Sequence, residues 1–443
     1  MQADRRPLRI LMTNNTLDQP AGSELYLRDL ALSLMRRGHF PVAYSQSLGP
    51  VADRLRAATI PVVDDLRDLS AVPDVIHGQH HLETMTAALR FPQVPVTYTC
   101  HGWIPWQEWP PVFPNILHYV AVDDLCRERL LTSAGVPADQ ISVLHNFVDL
   151  DRFRKVRDLP DKPKSALVFS NSAAQVPKAI RDACTRMGIE RVDIVGQNSG
   201  RSAAHPETIL ADYDVVFAKA RAAIEAMASG CAVVVMDYGQ LGGLVSSSNL
   251  QSMRGLNFGI RTLQNQLLHQ DKIERELERY DASDARAVTQ WIRANAGLEA
   301  AVDRWLEIYY RTIERWSDVA GTLHDGERLT SASRYVSQLA PRVKAKEQAE
   351  HCKNLAEADL RAAKAQLERD TAVAANNDAR HKARIAELER EVQGLRRELQ
   401  GRKRELERHR FPGLAVRMAW QGFEKQVLKR CRRQIASFRK PKS

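Results

Sequence analysis

The chain lacks any apolar run approaching the ~20 residues that a membrane-spanning helix requires; Cys231-Ala-Val-Val-Val-Met236 is among the longest. Its start, Met1-Gln-Ala-Asp-Arg-Arg-Pro7, opens into too short an apolar stretch for a secretory signal, so a cytosolic chain is expected. The six cysteines (100, 126, 184, 231, 352, 431) form no C-x-x-C pair and no zinc-like spacing, which argues against a disulfide framework and against cysteine-ligated metal. Aromatic residues are only 6%. Basic excess is also missing from most of the chain. Residues 401–443 carry 14 Lys+Arg against 3 Asp+Glu, whereas residues 1–400 carry 50 against 51. The net charge of +10 therefore belongs to the tail, and it gives no reason to expect nucleic acid on the body of the protein.

What is present is 44% hydrophobic residues, enough for large cores, in 443 residues, a length of two or three domains. Leu8-Arg-Ile-Leu-Met12 reads as a strand, followed by a polar loop ending Pro20-Ala-Gly22-Ser23. A helix is predicted from Glu24 to Arg37, with Leu27, Leu30, Ala31 and Leu34 on one face and Gly38 as its stop. Further strands are read at 41–44, 74–77, 94–99 and 118–122. The pattern restarts after a Pro-, Asp- and Lys-rich linker at 150–164, with strands at 165–170, 191–195, 214–218 and 231–236. Strands alternating with helices predict parallel sheets covered on both faces. Two such domains leave a cleft between the carboxyl ends of their sheets.

The expected organisation is an α/β domain over 1–150, a second over 151–282, a helical packing segment over 283–340, a coiled coil over 341–410 and a basic amphipathic tail over 411–443. Trp291, Leu298, Val302, Trp305, Ile308 and Tyr309 suggest one amphipathic helix packing on the domains. Apolar residues at 385, 388, 392, 395, 399 and 406 follow the alternating three- and four-residue spacing of a coiled coil, so a homodimer through 385–406 is expected. The tail sets Leu414, Met418, Phe423 and Val427 among Lys and Arg. It can lie on an anionic membrane surface, bind nucleic acid or stay solvated, and the membrane reading is favoured.

Four segments, in order, resemble retaining nucleotide-sugar glycosyltransferases of the two-Rossmann-domain GT-B type, specifically family four. They are Ala21-Gly-Ser-Glu through Gly38-His39, Thr99-Cys-His101-Gly102, Gly135-Val-Pro through Asn146-Phe-Val-Asp149, and Ala223-Ile-Glu225-Ala-Met-Ala-Ser-Gly230. The resemblance implies two Rossmann-like domains followed by an all-α coiled-coil tail, with the first domain on the acceptor side and the second holding the nucleotide sugar.

It also implies a site. Amides of Gly22 and Ser23 would face phosphate or sugar oxygens. Glu225 would accept hydroxyls of the ribose, and Asn171 and Gly196, each just after a strand of the second domain, complete the donor-binding set. Lys219 and Arg221 would stabilise the departing diphosphate, and His101 would sit against the sugar. No metal and no cofactor beyond the co-substrate are called for. The partners implied are a nucleotide sugar and a glycan or glycolipid acceptor, in envelope or surface polysaccharide synthesis. Two departures stand out. The family's first glutamate, with seven residues between it and the second, falls on Phe217, and its Arg/Lys pair after the first strand of the second domain is replaced by Phe169-Ser-Asn-Ser-Ala. These keep open an inactive GT-B binding module that serves as a coiled-coil scaffold.

Overall fold

The computed structural model describes residues 6–201, 205–237, 239–263 and 266–373, with isolated helical positions between 387 and 402. The chain divides into two units, Met1–Arg328 and Leu329–Ser443.

The first half of unit one alternates β1 (Arg9–Thr13), α1 (Gly22–Arg36), β2 (Phe40–Tyr44), α2 (Pro50–Ala57), β3 (Val62–Val63), β4 (Val75–Gln79), α3 (His81–Arg90), β5 (Val96–Cys100), β6 (Ile116–Ala121), α4 (Asp124–Ser133) and β7 (Ile141–Val143). The seven strands form one parallel sheet, ordered β3-β2-β1-β4-β5-β6-β7. Strand order reverses between β1 and β4, and open α/β sheets hold their ligand crevice beyond the carboxyl ends of the strands at such a switch point. Thr13 and Gln79 end those two strands and lock them together: the Gln79 amide donates to Thr13 Oγ1 at 3.1 Å.

The second half comprises β8 (Ser165–Phe169), α5 (Lys178–Arg186), β9 (Arg191–Val195), β10 (Val215–Ala218), α6 (Ala220–Ala228), β11 (Ala232–Asp237), β12 (Gln240–Leu244), α7 (Leu250–Gly255), β13 (Gln266–Leu267), α8 (Gln270–Glu278) and α9 (Ala282–Asn295). Its sheet runs β13-β12-β11-β10-β8-β9. The four strands read from sequence are parallel, but β12 and β13 add an antiparallel edge. Gly242 and Gly243 interrupt β12, which obscured it in the sequence. Here the switch point lies between β8 and β10, beside Asn171 and Lys219.

The chain then returns to the first domain. Helix α10 (Leu298–Val319) buries Val302, Trp305 and Tyr309 in the core formed by β1, α1 and α2, and Trp305 Nε1–H donates to the Tyr26 hydroxyl at 2.8 Å. The single helix expected through Trp291 and Tyr309 is therefore two. Between them, Val148 takes the backbone groups of Ala296 and Leu298, at 2.9 Å each, and this exchange breaks the helical ladder at Gly297. The predicted linker is also well fixed, with Phe153 buried and the Arg157 amide donating to the Ser229 carbonyl.

Helix α11 (Asp325–Val373) begins at the end of unit one, supplies most of the described part of unit two and runs for 49 residues through Pro341. Half of the predicted coiled-coil stretch 385–406, including five of its six apolar positions, and all of the basic tail 411–443 lie outside the described residues. Among the described residues no helix is long and apolar enough to cross a membrane.

Candidate active site

On the first-domain side, the crevice is lined by a cluster of buried polar groups at the ends of β4 and β5. His101 follows β5 and is partly exposed. Its Nε2 lies 2.8 Å from Gln79 Oε1, Gln79 Nε2 lies 3.2 Å from His77 Nε2, and His77 Nδ1 lies 2.8 Å from the Tyr309 hydroxyl. The His101 ring packs edge-on against Tyr26. Burial, helped by the charges of His80 and Arg221, pushes the His101 imidazole down to about 4.

Glu108, on the Trp- and Pro-rich loop after β5, accepts the His101 amide at 2.9 Å and pairs with His80 Nε2 at 3.2 Å. Burial opposes its charge, but His80 and the His101 amide outweigh burial and hold the carboxyl down at about 2. His80 has φ 61°, a backbone cost of order 1–3 kcal/mol that its neighbours must support. The Asn15 amide does so by donating to His80 Nδ1 at 3.0 Å. That bond leaves Nε2–H as the donor to Glu108. Glu24, in the first turn of α1, is also buried, and burial pushes its carboxyl up.

On the second-domain side, a single residue, Lys219, joins β10 to α6. Its ammonium pairs with Asp237, whose carboxylate also takes the hydroxyls of Ser170 (3.0 Å) and Ser172. Two residues on, Arg221 is 6% exposed. It spans the cleft, with Nη2 on Asp29 of α1 and Nε on Glu225 at 2.8 Å. Arg28 and Arg152 also reach Asp29, at 2.8 and 3.1 Å, and Arg152 lies 3.4 Å from Glu207 and 3.7 Å from Glu225. Three guanidiniums thus face three carboxylates. Burial alone would depress the Arg221 guanidinium, but Asp29 and Glu225 outweigh it and raise it. Arg221 Nη1 is buried with no hydrogen-bond partner among the described residues, an unsatisfied donor of a kind that folded proteins rarely leave.

The predicted residues are accordingly distributed as follows. Gly22 opens α1, which has no side-chain cap, and a Cβ there would meet nothing within 4 Å. Ser23 donates to Glu24 at 3.0 Å. Asn171 accepts the Gln197 amide at 3.0 Å, and Gly196 presses so close to Ser170 that a Cβ would lie 1.9 Å from its carbonyl oxygen. The role of Gly196 visible in the structure is this close approach. Arg221 pairs with Glu225 and with Asp29, and Lys219 pairs separately with Asp237, so all three are already engaged. Asp29, Arg152, Gln79, His80 and Glu108 were missed. Asp29 sits within a helix read only for its apolar face, and its partners come from distant segments.

A profile of the family described as Glycosyltransferase Family 4 matches residues 20–152. The chain resembles a family 4 glycosyltransferase. Among solved structures, a glycosyltransferase from Rickettsia africae aligns with a TM-score of 0.52 at 15% identity, covering 70% of this chain and 99% of that one, which shows the GT-B fold. The Anabaena protein HepE, solved in complex with UDP and glucose, aligns at 14% identity and a TM-score of 0.48 over 69% of this chain and all of its own. No curated protein matches.

Against the glycosyltransferase pattern, the missing glutamate has a structural cause. The family-4 position falls on Phe217, inside β10 and fully buried, because the one-residue β10–α6 connection leaves no loop to carry it. Two Asp-x-Asp triplets occur, and both are structurally committed. Asp149 accepts the amides of Asp151 and Arg152 in a turn. Asp214 accepts Arg157 and the Lys164 and Ser165 amides.

Proposed function

We propose that this chain transfers a sugar from a nucleotide-diphosphate sugar to a hydroxyl of a glycan or glycolipid. The observation that carries the reading is Arg221: a buried cation with one unpartnered donor, placed where the carboxyl ends of the two sheets face each other, beside a second cation, Lys219. A diphosphate leaving group gains negative charge as the glycosidic bond breaks, and fixed cations in a dry cleft stabilise that charge. The uncapped start of α1 offers the Gly22 and Ser23 amides to the same anion or to the sugar. Donor entry exchanges the Asp29 and Glu225 contacts of Arg221 for phosphate and frees Glu225 for the ribose. With no carboxylate in the β10–α6 connection, catalysis is by orientation and leaving-group stabilisation, with retention and without a metal. Docking of residues 411–443 on an anionic membrane, a homodimer through 385–406, and a role in envelope polysaccharide synthesis belong to the same reading.

The test is thermal unfolding of the full chain against UDP, GDP, ADP and their sugar conjugates, followed by transfer assays of Lys219→Ala and Arg221→Ala. Ligand at a hundred times its dissociation constant adds about 2.7 kcal/mol of stability. One nucleotide should raise the midpoint, and both variants should slow transfer. Undiminished rates would remove the two residues from the site. A second reading, a GT-B binding module without transfer, is favoured by the commitment of Glu225 to Arg221. Nucleotide affinity without turnover would select it.

A further inference from the structure

The His101–Gln79–His77–Tyr309 series is buried beyond His101, and each link joins one donor to one acceptor. With Gln79 Oε1 toward His101 and Nε2 toward His77, the polarity is determined along its length. His101 donates from Nε2, Gln79 donates to His77 Nε2, and His77 donates from Nδ1 to Tyr309. His101 Nδ1 has no hydrogen-bond partner among the described residues, on a ring that remains partly exposed at the crevice. The backbone is held as firmly, because Glu108 takes the His101 amide and Thr13 takes the Gln79 amide.

We propose that Gln79 is a positioning residue that fixes His101 as its Nε2–H tautomer, so that His101 presents Nδ1 as an acceptor for a sugar hydroxyl. His101 then recognises a hydroxyl and leaves phosphate to Arg221 and Lys219. The groups around the ring fit this division: Tyr26 from α1, His77 from β4, His80 before α3, Glu108 from its loop and Arg221 from α6. Two of them, His80 and Arg221, disfavour a positive charge on the ring, and the one carboxylate, Glu108, is spent on His80 and a backbone amide. The sugar as ligand rests on the transferase reading; the tautomer does not.

The experiment is 15N NMR of the full chain labelled at histidine, with transfer measured in parallel. His101 should be neutral and Nε2-protonated at pH 7. Gln79→Leu should convert it to mixed tautomers. The isosteric Gln79→Glu should raise its pKa, and kcat/KM should then fall about two- to tenfold on going from pH 8 to pH 6, the worth of one neutral hydrogen bond, while the wild type stays level over that range. An Nδ1–H or charged His101 in the wild type overturns the proposal, as does a tautomer indifferent to both substitutions. A tautomer as expected, with no transfer from any sugar donor, overturns the sugar-hydroxyl role and the transferase reading together and leaves the tautomer assignment standing.

Discussion

Asp29→Asn isolates the ion cluster that joins the two sheets. Asp29 is 1% exposed and receives Arg28 at 2.8 Å, Arg152 at 3.1 Å and Arg221. The substitution keeps the shape, removes the central negative charge and leaves three guanidiniums against two carboxylates. Breaking a buried pair by removing one partner costs ~3–5 kcal/mol. Arg152, whose side chain is 21% exposed, keeps some access to water, which places the loss near the lower end, about 3 kcal/mol. At about 2.1 cal/mol/K of unfolding entropy per residue, each kcal/mol shifts the unit Met1–Arg328 by roughly 1.5 °C, so the first unfolding midpoint should fall by about 4–5 °C. The assay is calorimetry of Asp29→Asn, Arg221→Met and the double variant. Because the double variant removes a cation with the anion, its loss should be smaller than the sum of the single losses by more than about 1 kcal/mol. A loss below about 1 kcal/mol for Asp29→Asn, or strict additivity, would refute the picture of a tightly coupled buried cluster.

Gly196→Ala drives a Cβ to 1.9 Å from the Ser170 carbonyl and should cost more than about 3 kcal/mol, whereas Gly22→Ala meets nothing within 4 Å and should stay within about 0.5 kcal/mol of wild type in thermal unfolding. Equal effects at the two glycines would contradict the close packing of the β8 and β9 ends. Burial pushes His77, His101 and His118 down to about 3, 4 and 4. The unfolded chain binds their protons below about pH 6.5, before the folded chain does, so stability is full above that value and declines as pH falls toward 4. The midpoint should drop between pH 7 and pH 5, and His118→Gln, which can keep the contact with Ser142, should lessen the drop. A midpoint unchanged over that interval would sink the assignment.

The sequence by itself determined most of the strands, nine of the thirteen described, and the helices between them. Short apolar runs such as 119–122 and 231–236, bounded by turn signals, fit strands buried on both faces, and the three- and four-residue spacing of Leu27, Leu30, Ala31 and Leu34 fits a helix with one core face. Local pattern also located the glycine-opened α1, the His101 strand end and the Glu225 helix, because each is a contiguous signature. Tertiary structure alone decided what those residues do. Whether Glu225 is free or paired depends on Asp29, almost 200 positions away, and on Arg152 in the connecting segment. Which nitrogen of His101 carries its proton depends on Gln79 and His77 of β4 and on Tyr309, from a helix that returns after the second domain. Secondary structure follows from the neighbours a residue has along the chain. Charge and protonation follow from the neighbours it acquires in space, where a low-dielectric surrounding multiplies every contact.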